Sequence, residues 1–159
     1  MGRVYAVDFN ELAVTAAQDL FEIKAPSSKV LRILQICVTQ RTEIGDAQAE
    51  QLHFSVSRAS GSYTSGSGGS APTPRPLRAG DAAATFTAET GNTTRAAAGS
   101  GSLVRLLTRS EHVGSGLDLI FTPECVPEIG VSEALVVGLE TAPADSITLA
   151  GYILVEELG

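Results

Sequence analysis

Two histidines, His53 and His112, are the side chains of this sequence best suited to moving a proton near neutral pH. His53 falls on the polar side of the alternating segment 51–57, and His112 in the turn-like run Ser110-Glu111-His112-Val113-Gly114. Solvated polar side chains account for both, and neither has a second histidine or a cysteine at zinc-ligand spacing. The carboxylates are dispersed. Glu156 and Glu157 are adjacent, but neighbours on a strand point to opposite faces and cannot share a proton as a catalytic dyad does. Glu124 and Glu128 belong to a loop, so a glycosidase-type pair would have to be assembled from distant strands.

The glycine-rich Ser65-Gly66-Ser67-Gly68-Gly69-Ser70 lacks the Gly-Lys-Ser/Thr ending and the following helix of a phosphate-binding loop. Ser100-Gly101-Ser102 lacks the glycine spacing of a nucleophile elbow. Asn92-Thr93-Thr94 matches a glycosylation acceptor by pattern alone. Cys37, inside the apolar run 34–38, reads as a small buried hydrophobe, and Cys125 lies in a proline-flanked loop. A disulfide between the two is left open by the sequence. The expectation is no catalytic residue, no metal site and no cofactor, hence not an enzyme.

Binding is better supplied. Residues 59–80 read ASGSYTSGSGGSAPTPRPLRAG, a Gly/Ser tract followed by regularly spaced prolines, and 59–81 are expected as one long surface loop or arm. Loops of this length in compact domains are usually functional or disordered. Its anchor candidates are Tyr63, Pro72, Pro74, Arg75, Pro76 and Arg78, because aromatic and arginine side chains dominate interface energetics. The proline spacing favours an extended, pre-ordered arm. Arg3 and Tyr5, in the first segment, are the second candidate contact region.

The elements that would position these residues follow a period of two. The 159 residues are 43% hydrophobic, 18% charged and 5% aromatic, without tryptophan, and are long enough for one domain, 1–159, with a sizeable core. Short alternating segments bounded by turn residues predict an all-β fold, an antiparallel β-sandwich or jelly roll of about eight to nine strands with one long Gly/Ser/Pro loop. The segments are 3–10, 19–25, 29–40, 51–57, 82–88, 103–108, 117–121, 134–140 and 147–156. The run 29–40 is apolar on both faces, which predicts a central strand covered on both sides. The final segment is also apolar on both faces and is expected mid-sheet or under a partner chain. Residues 15–18 could cap a single helical turn, 44–50 read as a loop or one helical turn, and 89–102 read as a second polar loop.

A net charge of −7 repels a phosphate backbone and argues against nucleic acid as a partner. The opening residues meet Asp8 before an apolar stretch long enough for a signal peptide, and no later window is long and apolar enough to span a bilayer. Cytoplasmic synthesis and no membrane partner are therefore expected.

The N-terminal strand, the Gly/Ser tract running into Ala71-Pro72-Thr73-Pro74-Arg75-Pro76-Leu77, the Phe121-Thr122-Pro123-Glu124 turn, and the ending from Thr141 through Glu156-Glu157-Leu158-Gly159 resemble small β proteins of tailed bacteriophages. Among those proteins the sequence resembles capsid decoration, or cement, proteins. That resemblance implies a structural virion protein that binds the outside of a shell of major capsid protein and stabilises it. It also implies self-association, commonly as a homotrimer, and a place on the capsid exterior. The alternative expectation is a carbohydrate- or receptor-binding β module of a phage tail or cell surface. The absence of tryptophan and the three tyrosines count against the aromatic platforms sugars need.

Overall fold

The structure is a computed structural model that describes residues 2–41 and 49–159. Among them there is no helix. Eleven strands form two antiparallel sheets: β1 (Arg3–Val14), β2 (Gln18–Lys24), β3 (Val30–Gln40), β4 (Gln51–Ser60), β5 (Arg75–Pro76), β6 (Thr87–Asn92), β7 (Ser102–His112), β8 (Leu117–Ile120), β9 (Glu128–Ile129), β10 (Ala134–Leu139) and β11 (Ile147–Leu158). Sheet A runs β5-β1-β11-β3-β8, with β9 also on β3, and sheet B runs β6-β2-β10-β4-β7. The architecture is the all-β sandwich expected from the period-two pattern. The strand number exceeds the expected one because β5 and β9 are two-residue strands, too short to leave a pattern.

The alternation is what closes the sandwich. Tyr5 and Val7 of β1, Ile153 and Val155 of β11, and Ile36 and Val38 of β3 face Phe21, Phe54 and Val137 of the other sheet in one buried cluster. Burying each such side chain contributes about 1.5–3 kcal/mol before entropy is charged against it. As expected from its two apolar faces, β11 lies mid-sheet, between β1 and β3.

Four expectations are corrected. The strand covered on both faces is not β3, whose second face is half-buried, but β10, buried throughout, with β2 buried along all but its last residue. Cys37 is accordingly half-buried on the outer side of sheet A, and with Cys125 exposed the two thiols are free and unpaired. The strand expected over 82–88 begins at Thr87 and continues through the supposed polar loop to Asn92. It was hidden because Thr90 and Asn92 are polar residues buried under another part of the chain. The helical turn at 15–18 is a bend whose last residue opens β2. The 44–50 segment lies, up to residue 48, outside the described residues.

The Gly/Ser tract is ordered against its own molecule. Thr64 bridges Ala97, Ser67 bridges Thr94 and Ser70 bridges Thr90, so residues 64–70 run antiparallel to 90–97. Its glycines serve close approach. A Cβ at Gly66 would stand 2.6 Å from Asn92 Nδ2, and one at Gly69 would collide with the Thr90 carbonyl oxygen. Beyond it, Arg75 and Pro76 pair with Ala6 and Tyr5 on the edge of β1, and the Leu77 amide donates to the Val4 carbonyl.

Candidate functional site

The two sheets present different outer faces. That of sheet B is roofed by residues 61–70 and 93–101, which explains how polar side chains there come to be buried. Glu22, 2% exposed, accepts hydrogen bonds from the Gly66 amide at 2.9 Å, Tyr63 Oη at 3.1 Å, Asn92 Nδ2 at 3.4 Å and the Ser65 hydroxyl. Asp19, 1% exposed, accepts from the Ala96 amide at 2.6 Å and Arg95 Nε at 3.0 Å. Arg95 also spans to Glu140, at 2.6 Å from Nη2, and Glu140 accepts from the Ser55 hydroxyl. Burial of the Asp19 carboxyl outweighs the Ala96 amide and Arg95, and raises its pKa. Arg95 and the hydrogen bond from Ser55 instead hold Glu140 down to about 2, despite partial burial. The buried members of this network, Asp19, Glu22, Asn92 and Ser55, are all partnered, which is how a roof of loop can be held without an apolar core of its own.

The outer face of sheet A has no such roof among the described residues. Its floor is half-buried and largely apolar: Val4 and Ala6 of β1, Ala150 and Leu154 of β11, and Leu34 and Cys37 of β3. Leu77 is 60% exposed beside it and Ile120 is 72% exposed at the far edge. One hollow of about 660 Å³ is lined by Arg3, Val4, Leu34, Leu77, Arg78 and Leu154, with Asp81 at its rim. A second, of about 510 Å³, is lined by Ala6, Phe9, Cys37, Arg75, Ala150 and Tyr152, with Asp8 at its rim, and again by Leu77. Leu77 therefore joins the two hollows into one groove across the sheet. Burial and the nearby Asp118 carboxylate push the Cys37 thiol pKa up, away from a reactive thiolate.

The groove gathers charge of both signs, Arg3, Arg75 and Arg78 with Asp8 and Asp81, but its arginines form no ion pair among the described residues. Lys29, Arg32, Arg41, Arg95, Arg105 and Arg109 all form ion pairs. Arg3, Lys24, Arg58, Arg75 and Arg78 form none among the described residues, and three of these five, Arg3, Arg75 and Arg78, line the groove. In a chain of net charge −7, three of the five cations without an ion pair thus lie in one place.

Of the residues singled out from sequence, then, Arg3, Arg75 and Arg78 come together. Pro72 and Pro74 are half-buried in the connector that leads to β5. Tyr5 is removed from any surface: it is fully buried, its ring lies edge-on to Phe86 at 5.6 Å, and its hydroxyl donates to the Ala82 carbonyl. Tyr63 is on the other side of the sandwich, its hydroxyl on Glu22 and its ring under the Lys24 ammonium. His53 Nδ1 lies 2.8 Å from the Ser110 hydroxyl, and His112 Nδ1 accepts from the Gly114 amide. Among the described residues, no group of three His, Cys, Asp or Glu side chains is placed to hold a metal ion. Sequence reasoning missed Asp19, Glu22, Arg95 and Glu140. Glu22 carried a signal only as a polar residue alternating with Phe21 and Ile23, which reads equally as a solvated face.

Comparison with family models, with curated proteins and with solved structures found no match.

Proposed function

We propose that this protein is a structural virion component, a capsid decoration protein that binds the outside of a shell of major capsid protein through the outer face of sheet A. The observation that carries the reading is the grouping of Arg3, Arg75 and Arg78, unpaired, around an unroofed apolar groove on an otherwise acidic molecule. The complementary surface is an apolar ridge flanked by carboxylates. Arginine suits this work because its planar fork meets a carboxylate in two parallel hydrogen bonds. Net negative charge keeps free copies apart in solution, while the local positive rim sets orientation on the shell. The sequence resemblance supplies the partner class, and a homotrimer is the assembly that resemblance carries with it. Symmetric copies bound to one shell would multiply modest individual contacts.

The test is direct. Purified protein mixed with undecorated shells and imaged by electron cryomicroscopy is expected to give ordered extra density at symmetry-related positions, with sheet A toward the shell. Unchanged shells, or density with sheet B toward the shell, would overturn the reading.

A further inference from the structure

We infer that β7 pairs edge to edge, antiparallel, with β7 of a second copy about a twofold axis at Ser110. The inference is independent of what the shell partner is, but as a closed twofold contact it gives a dimer in free solution in place of the homotrimer that the sequence resemblance implies.

A strand at the edge of a sheet offers a row of unpaired amides and carbonyls to another chain. In this fold the other long edges are each met, at least in part, by another segment. The edge of β1 carries β5, that of β3 carries β8 and β9, and that of β6 is met by Ser70 at Thr90. β7, with 11 residues, differs from the 12-residue β1 in that no strand or bridge lies on its outer side among the described residues. It also leaves Val104, Leu106 and Leu107 exposed. Beside it the sandwich is open: a cavity of about 210 Å³ between the sheets is lined by Phe54, Val56, Leu107, Leu117 and Leu119. Free backbone and an apolar opening next to it both call for an added strand.

The side chains select a second copy and fix its register. Opposite Leu52, Phe54 and Val56 of β4 stand Glu111, Arg109 and Leu107, so these three share the inner side of β7. A bulge at Leu106 breaks the alternation, leaving residues 107–112 as the continuous stretch. Directly opposed residues of an antiparallel pair share a face, so a twofold axis must pass a single residue of this stretch. An axis at Arg109 would oppose two arginines, and one at Thr108 would set each Arg109 against Leu107. An axis at Ser110 sets Arg109 against Glu111 of the second copy, and Glu111 against its Arg109. The ion pair now formed within one strand by Arg109 and Glu111 then becomes a closed four-charge ring across the axis. The second strand also covers the mouth of the cavity.

Because the overlap is short, the interface is smaller than a standard one, and association is expected as a concentration-dependent monomer–dimer equilibrium. Sedimentation equilibrium of the full chain tests it. Arg109→Glu and Glu111→Arg should each weaken dimerisation about tenfold, because each opposes like charges twice. Mixing the two variants should restore it, since each arginine then faces a glutamate on the other copy, and the double variant should dimerise alone. Unchanged unfolding midpoints would show that the single variants remain folded. A monomer at every concentration, a trimer indifferent to both substitutions, or a mixture that fails to restore the dimer would overturn the inference.

Discussion

The two outer faces of this sandwich are built from similar strands and end in opposite states. Over sheet B the chain folds back on itself, and the acidic residues there, the buried Asp19 and Glu22 and the half-buried Glu140, are partnered by Arg95, by backbone amides and by hydroxyls. Over sheet A no such roof returns among the described residues, and the arginines at its edge form no ion pair there. One face satisfies its charges internally and so contributes to the fold. The other leaves apolar area and charge exposed. The difference teaches that a long Gly/Ser/Pro segment need not be one functional unit. Its first half is a roof and its second half, from Arg75, is a rim.

If that division is right, substitutions on the two faces should separate stability from binding. The largest effect is expected at Asp19. Asp19→Ala strands the buried Ala96 amide and removes one of the two carboxylates that hold Arg95, a loss of about 2–4 kcal/mol measurable as a lower urea midpoint. The next is Gly69→Ala, where the added methyl meets the Thr90 carbonyl and the roof must lift. A loss of about 1–3 kcal/mol is expected, with faster amide exchange confined to residues 64–70 and 90–97. A roof that tolerated both changes would erase the distinction.

How much of this was legible in the sequence depends on what alternation can report. It reports which residues share a face, so β1, β4, β10 and β11 stand close to where the period of two puts them. It does not report what covers a face. Glu22 and Asn92 read as solvated because nothing local says that Gly66 and Tyr63, more than forty residues from Glu22, will lie on top of it. Tyr5 shows the same limit from the other side: an aromatic near the N-terminus looks available, yet its partners are Phe86 and Ala82. Arg3, Arg75 and Arg78 were found separately by residue type, but that they form one rim required the pairing of β5 with β1. Likewise β3 is apolar on both faces, and only the fold shows that its second face is part of the open groove.

The roof should also respond to acid. A carboxylate whose folded pKa lies below its unfolded value contributes stability that is present above the unfolded value and lost as pH falls through the folded one. Glu140, at about 2 against 4.5, contributes in this way. Glu157 acts in the same direction: burial raises its pKa, but Lys29 and Thr85 outweigh that and leave it lowered. Asp19 acts oppositely, since its raised pKa makes the ionised form the costlier one, and its protonation offsets part of the loss. Glu140→Gln should therefore cost on the order of 2 kcal/mol at pH 7, with its urea midpoint converging on that of the unsubstituted protein toward pH 2. An offset that stayed constant with pH would remove Glu140 from the roof's charge network.

The smallest effect on stability, and the sharpest on the comparison, is expected at the rim. Arg3→Glu, Arg75→Glu and Arg78→Glu break no hydrogen bond or ion pair, so each should leave the urea midpoint within about 0.5 kcal/mol of its starting value. The three together reverse the charge around the groove and, by the proposed function, should abolish shell occupancy in the mixing experiment while leaving the β7 dimer intact. Asp19→Ala should do the reverse at temperatures where it remains folded, lowering stability with occupancy retained. A rim variant that unfolded the protein would mean these arginines have a partner within the chain after all. A roof variant that lost occupancy while folded would place the binding face on sheet B.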